Sequence, residues 1–249
     1  MTFKVVIPAR FESARFPGKV LAKINEKPMI QHVYERALES GADEVIIAVD
    51  NKDVADQARK FGADVELTAT GHPSGTDRIR EVLENRGWDN DTIIVNVQGD
   101  SPLISPVSIK QVAEILNINP EADIATLMTR ITKDDEFHNS NIVKVVTDAR
   151  GYALYFSRAP IPAQEGYNVW AWRHLGIYGY RPDALRMITS SGPIPLEKFE
   201  RLEQLRAMYM GLRIKVARAE VPHGFDVDVP DDVKVVERIM DIDDVASER

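Results

Sequence analysis

Between residues 3 and 67 the sequence alternates short apolar runs with stretches of helical spacing, and this alternation narrows the folds open to the chain. Phe3-Lys-Val-Val-Ile7 is a β-branched run stopped by Pro8, which predicts a buried strand ending in a loop. From Met29 to Ser40, the residues Ile30, Val33, Ala37 and Leu38 fall on one helical face, and Gly41 is placed to end that helix. Glu44 to Asp50 reads as a second buried strand, Lys52 to Phe61 as a second helix ended by Gly62, and Asp64 to Leu67 as a short third strand. The pattern predicts an α/β fold: a Rossmann-like, mostly parallel sheet with helices on both faces. In such sheets ligands sit outside the carboxyl ends of the strands.

That rule directs attention to Pro8 to Lys19, at the carboxyl end of the first strand. The stretch holds Arg10, Arg15 and Lys19, with Ser13 and the turn pair Pro17-Gly18 between them. Backbone N–H groups and fixed cations can converge there on a polyphosphate, where the plainer alternative is a solvated basic loop. A second candidate is His72-Pro-Ser-Gly-Thr-Asp-Arg78, a turn-rich segment opening a helix through Leu83. Ser74 or Thr76 either caps that helix or joins its free N–H donors in holding a base or phosphate. Arg78, one turn in, is not needed for capping. Asp91 to Val97 is the strongest strand and ends in Gln98-Gly-Asp-Ser-Pro102. Asp100 then faces the cationic loop across the sheet edge, and it reads as a Mg2+ ligand rather than a turn former.

Residues 104–117 have helical spacing and Asp123 to Met128 reads as a strand. Beyond them the pattern changes from βα to ββ. Asn141–Thr147 and Tyr152–Ser157 flank Asp148-Ala-Arg-Gly151 as a hairpin, so an antiparallel extension is expected over residues 140–190 of a single 1–249 domain. The apolar segment Pro160–Trp172, with Tyr167, Trp170 and Trp172, fits core, lid or dimer contact equally. Trp172 to Arg181 alternates as a strand bearing His174, either structural or catalytic, and Tyr178. Residues 183–190 form a short helix and Leu196–Met210 a longer one carrying Glu203 and Gln204, whose plain reading is a solvated face. Ile214–Ala217 is a strand and Asp231–Met240 the final helix. In an extended segment Asp226 and Asp228 point the same way, and Asp228 lies too early to cap that helix, so it is a second candidate Mg2+ ligand.

The bulk properties exclude several classes. A net charge of −8 argues against nucleic acid as a partner. Without cysteine there is no disulfide framework, thiol nucleophile or thiolate zinc site. No stretch reaches the roughly 18 apolar residues of a membrane span and no secretion signal is visible, so a cytoplasmic protein with no membrane partner is expected. No Gly-x-Gly-x-x-Gly follows the first strand, which disfavours a dehydrogenase.

Ile7-Pro-Ala-Arg10 with Pro17-Gly-Lys19, Ser74-Gly-Thr76 with Arg78, Val95-Asn-Val-Gln-Gly-Asp100, Tyr152-Ala-Leu-Tyr-Phe-Ser-Arg158, His174-Leu-Gly-Ile-Tyr-Gly-Tyr-Arg181, Leu202-Glu-Gln-Leu-Arg206 and Val227-Asp228 together resemble the CMP-Kdo synthetase family, the 3-deoxy-manno-octulosonate cytidylyltransferases. The resemblance spans nearly the whole chain. It implies a reaction of CTP with a 3-deoxy-octulosonic acid that gives the CMP-sugar and pyrophosphate for lipopolysaccharide biosynthesis, on a homodimer. It assigns Arg10 and Lys19, supported by Ser13 and Arg15, to the triphosphate, and Asp100 and Asp228 to Mg2+. Arg10, Lys19 and Asp100 are the implied catalytic set. Pro8, Ala9, Arg10, Ser74, Gly75 and Thr76 are assigned to the nucleotide, and Arg78, Gln98, Arg158, His174, Tyr178, Glu203 and Gln204 to the sugar acid. The sequence departs from the family where Ser101 replaces a glutamate and Asp226 replaces a glycine, and the loop from Pro162 to Trp170 is shorter. Those changes raise 8-amino-3,8-dideoxy-manno-octulosonate as an acceptor, because an ammonium alters which carboxylates a pocket can hold. The competing readings are another CTP-dependent sugar-acid transferase of sialic-acid type and a non-catalytic nucleotide-sensing module.

Overall fold

The computed structural model describes residues 1–11, 16–164 and 170–247. Ser13, Arg15 and Tyr167 lie outside the described residues. The first half of the chain builds β1 (Lys4–Ala9), a small hairpin of β2 (Lys23–Ile24) and β3 (Lys27–Pro28), α1 (Met29–Glu39), β4 (Glu44–Val49), α2 (Lys52–Lys60), β5 (Asp64–Leu67), α3 (Gly75–Arg86), β6 (Ile94–Asn96), α4 (Pro106–Ile118) and β7 (Ile124–Ile131). The second half adds α5 (Asp134–His138), β8 (Lys144–Thr147), β9 (Ala153–Ser157), β10 (Ala171–Tyr180), α6 (Pro182–Thr189), α7 (Pro195–Glu200), α8 (Gln204–Tyr209), β11 (Ile214–Arg218) and α9 (Pro230–Ser247).

Local chemistry sets several of these boundaries. Asn51 caps α2 by accepting from Asp53 N at 2.8 Å and Val54 N at 3.1 Å. Ser105 caps α4, and Pro106 begins it where a missing N–H costs nothing. Gly87 ends α3 in the left-handed conformation with φ 63°. Asp232 accepts from the Asp228 and Val229 amides at 2.8 and 2.9 Å, which fixes the chain as it enters α9.

The main sheet runs β11-β7-β10-β6-β1-β4-β5, with β8 and β9 joined to it through β10. β1 is parallel to β4 and β6, β4 to β5, and β7 to β11. Successive residues of β1 feed opposite faces. Val5 and Ile7 join a core with α1, α2 and α4, whereas Val6 joins Ile79, Leu83, Leu185, Leu205 and Phe156 on the other face. A third, small core under α9 holds Ile24, Met29, Val227 and Val236. Among the described residues no helix is long and apolar enough to cross a membrane.

Two features differ from the sequence expectation. The antiparallel element is not only an extension at the edge. β10 lies inside the main sheet, antiparallel to β6 on one side and β7 on the other. Its Ala171, Leu175, Ile177 and Tyr180 are all at most 5% exposed, as a strand with neighbours on both edges requires. The expected helix from Leu196 to Met210 is also broken. Arg201 adopts φ 56°, ψ 47°, and Leu202 N returns to Glu197 O at 3.2 Å. This left-handed step drops Leu202 into the core and turns Glu203 toward the carboxyl edge of the sheet.

Gly179 on β10 faces α4 with no room to spare: an added Cβ would lie 2.8 Å from Val112 Cγ1 and 3.1 Å from Leu116 Cδ1. Gly176, three residues earlier, has nothing within 4 Å. Gly179→Ala is expected to cost about 1–3 kcal/mol of stability by overpacking, and Gly176→Ala less than about 0.5 kcal/mol. Urea unfolding of the two variants distinguishes them.

Candidate active site

The carboxyl ends of β1 and β6 meet at a close backbone approach. A Cβ on Gly99 would lie 3.1 Å from Pro8 O, so a side chain there would require the end of β1 to give by a few tenths of an ångström. A cleft of about 500 Å3 opens above this point. Its wall includes Pro8, Arg10, Lys19, Ser74, Gly75, Thr76, Arg78, Gln98, Asp100, Tyr178, Glu203 and Asp228. Most of the residues singled out in the sequence are therefore gathered in one place. Ala9 is buried beneath it. Ser13 and Arg15 lie outside the described residues.

Lys19 follows the left-handed Gly18 in a short 3-10 turn. Its ammonium pairs with the Asp100 carboxylate and donates to Val227 O at 3.2 Å. Burial pushes the Asp100 carboxyl pKa up, Lys19 pulls it down, and the balance lies above the usual carboxylate value. Asp100 and Asp228 bring hard oxygen donors to the same wall, as a divalent cation shared with phosphate oxygens requires. Among the described residues no cluster of three or more His, Cys, Asp or Glu forms a metal cage. Two carboxylates completed by substrate phosphates are a different arrangement, and one suited to Mg2+.

On the opposite wall Ser74 caps α3, and its Oγ also lies 2.9 Å from Glu203 Oε1. Thr76 Oγ1 donates to Glu203 Oε2 at 2.8 Å. Burial raises the pKa of Glu203 more than these two hydroxyls lower it. Burial also raises both Tyr178 and Tyr180, so these phenols stay neutral hydrogen-bonding groups. Their rings stack with centroids 5.8 Å apart. A second cavity of about 60 Å3 continues beneath them and is lined by Tyr178, Tyr180, Glu203 and Gln204. This wall is rich in hydroxyl, amide and carboxyl groups, which suits a polyhydroxylated ligand.

Three expected sugar contacts are placed differently. Arg78 reaches the cleft wall, but its guanidinium is held by Asp50 at 2.7 Å, by Thr68 and by Ala69 O at 3.4 Å. Arg158 lies outside the wall, its Nε donating to Glu200 O at 2.8 Å and its Nη1 to Ser140 O at 3.0 Å. His174 lies behind it, 9% exposed, with its ring edge-on to Phe156 and 5.3 Å from the ring of Tyr178. Thr126 Oγ1 donates to Ile177 O at 2.7 Å, so His174 Nε2, 3.0 Å away, is the donor to that oxygen. In this arrangement His174 supports the Tyr178 ring from below.

Tyr180 and Asn96 also line the cleft and were not singled out in the sequence. Period-two alternation on β10 places Tyr180 on the face of Tyr178, and the same rule relates Asn96 to Gln98.

The cytidylyltransferase family pattern matches residues 4–214. The chain is 50% identical over 248 residues to the 3-deoxy-manno-octulosonate cytidylyltransferase of Pectobacterium carotovorum subsp. carotovorum (strain PC1), covering 96% of this chain and 99% of that one. It is 49% identical to the protein of that name from Thioalkalivibrio sulfidiphilus (strain HL-EbGR7), with the same coverage. Its fold superposes with a TM-score of 0.91 on a CMP:2-keto-3-deoxy-manno-octonic acid synthetase complexed with CTP, at 38% identity over 98% of this chain and all of that one. A cytidylyltransferase from Leptospira borgpetersenii serovar Hardjo-bovis (strain JB197), 18% identical with a TM-score of 0.61 and covering 95% of this chain and 85% of that one, shares the fold.

Burial lowers the His174 pKa to about 3, against about 6.5 for the unfolded chain. Because the folded value is the lower one, the folded state binds fewer protons between them. The neutral imidazole's stabilising contribution is whole above pH 6.5 and is lost as pH falls toward 3. The wild-type protein is expected to lose about 2 kcal/mol between pH 7 and pH 5 that His174→Gln does not lose. Urea unfolding at both pH values measures the difference, and equal losses would assign the effect elsewhere.

Proposed function

The chain belongs to the cytidylyltransferase family, and from that premise we propose that it activates 3-deoxy-manno-octulosonic acid with CTP, giving the CMP-sugar and pyrophosphate. The observation that carries this reading is the convergence of Arg10 and Lys19, Asp100 and Asp228, and the Ser74–Thr76 helix start on one cleft at the carboxyl edge of the sheet. The relatives' names and the CTP bound to the structural neighbour support the choice of substrates.

In this reading the anomeric hydroxyl of the sugar acid forms a new bond to the α-phosphorus of CTP as the bond to pyrophosphate breaks in line. The chemistry asks for alignment and charge neutralisation more than for a covalent intermediate. Arg10 and Lys19 hold the triphosphate, with Ser13 and Arg15 from the adjoining loop. Pro8, Ala9 and Ser74–Thr76 frame the base. Gly75 has its backbone directly over the Pro8 ring, since a Cβ there would lie 3.3 Å from Pro8 Cγ. Gln98, Tyr178, Tyr180 and Glu203 take the sugar hydroxyls. Asp100 and Asp228 would hold Mg2+, which when bound offsets the charge of the triphosphate and of the departing pyrophosphate. The reading includes a cytoplasmic homodimer joined through the 140–190 region, where Leu154 and Trp170 are 60% and 57% exposed.

The 8-amino analogue drew its support from three departures together: Ser101, the carboxylate at position 226 and the shorter loop from Pro162 to Trp170. Asp226 is bonded to Ser101 and is not part of the cleft wall, which favours the unsubstituted acid. A comparison of kcat/KM for the two sugars with CTP tests the choice, and a preference for the amino sugar would reverse it.

Lys19→Ala and Asp100→Asn are each expected to lower kcat about 10²–10³-fold in a pyrophosphate-release assay, since each removes charge placed at the reacting phosphates. A nucleotide-sensing module would bind CTP without releasing pyrophosphate. A sialic-acid-type enzyme would release it only with the other acceptor.

A further inference from the structure

Two segments each bring one carboxylate to the cleft: the turn Gln98–Pro102 with Asp100, and Gly224–Val229 with Asp228. Several contacts outside the cleft join them. Val227 N donates to Asp100 O at 2.9 Å. Gly224 is pressed against the residues that follow the turn, so closely that a Cβ on it would fall 2.2 Å from Leu103 O. Ser101 Oγ donates to Asp226 Oδ1 at 2.6 Å, and that carboxylate lies 3.6 Å from His223 Nε2. Ser101 is 6% exposed, so its hydroxyl is almost wholly turned inward for this bond. Val227 is fully buried between Ile24, Met29 and Val236, which fixes the residue between Asp226 and Asp228.

Ser101 and Asp226 therefore each sit next to, or two residues from, a cleft carboxylate without entering the cleft themselves. This part-buried bond to a carboxylate restricts the relative placement of the two segments it joins. We propose that Ser101 and Asp226 are positioning residues whose bond sets the separation of Asp100 and Asp228, and with it the affinity of the cleft for a divalent cation on a nucleoside triphosphate. This rests on the assignment of Asp100 and Asp228 to the cation made above. It also makes the two departures at positions 101 and 226 one linked change, in which a carboxylate carried on the second segment is met by a hydroxyl on the first.

The test is Mn2+ binding to the CTP-loaded protein without sugar, followed by electron paramagnetic resonance, with CTP binding in EDTA measured alongside by calorimetry. Ser101→Ala and Asp226→Ala are each expected to weaken Mn2+ binding about tenfold, the usual size of effect for a partner that orients a metal ligand. The double variant should lose no more than either single one, because both remove the same bond. Ser101→Thr, which keeps the hydroxyl, should bind Mn2+ like wild type, and metal-free CTP binding should change little in all variants. Alanine variants that bind Mn2+ like wild type, or that lose metal-free CTP binding in parallel, would overturn the inference while leaving the proposed function standing. Wild-type protein that binds no Mn2+·CTP would overturn both.

Discussion

The ion pair between Lys19 and Asp100 is the contact to which the rest of the site refers. It joins the loop after β1 to the turn after β6, and the same ammonium reaches Val227 O, so one side chain ties together three distant segments. Burial raises the Asp100 carboxyl pKa, and the Lys19 ammonium offsets part of that rise. This wall of the cleft thus carries fixed charges of both signs, Lys19 and Asp100, in contact with one another. The close approach of Gly99 to Pro8 O sets the spacing of the two strand ends, since a Cβ at 99 would lie 3.1 Å from that oxygen.

The opposite wall follows a different logic. Ser74, Thr76, Tyr178 and Tyr180 are neutral, burial raises the Glu203 pKa above the usual carboxylate value, and Ser74 and Thr76 both bond to Glu203. Such a network has fixed geometry before any ligand arrives, so a hydroxylated ligand would meet groups that need little reordering. The break at Arg201 places Glu203 in that network. An unbroken helix through 196–210 would have carried Glu203 along one continuous face, while the left-handed step lets Leu202 enter the core and Glu203 face Ser74 within a single residue.

Much of this was legible in the sequence where the signal is local. The β1, β4 and β5 runs and the helices between them follow from apolar period and end signals, and Asp64–Leu67 is found with the expected bounds. That Arg10, Lys19, Asp100 and Asp228 share one cleft was legible because the carboxyl-edge rule for parallel sheets turns sequence order into position. What was not legible depends on long-range pairing. Nothing in Trp172 to Arg181 states that its partners are residues 94–96 and 124–131. The conformation of Arg201 is equally hidden, since a non-glycine residue with positive φ is held there by Leu202 and Glu203 rather than by its own preference. Arg78, Arg158 and His174 share a third reason. Each has the chemistry of a ligand contact, and only the fold reveals that Asp50, Glu200 O and Thr126 already engage them.

The position of β10 has a consequence for the order in which the protein can assemble. During synthesis β6 and β7 emerge well before residues 171–180, yet they never pair with one another, because β10 lies between them. Until it has left the ribosome, β6 is paired only with β1 and β7 has no partner in the sheet, because β11 follows β10 in the chain. Contacts of such sequence separation are slow to form, and nascent chains stopped short of residue 180 would expose these apolar edges together. The strand that places Tyr178 and Tyr180 in the cleft is therefore also the one whose arrival joins β7 to β6, before β11 completes the sheet.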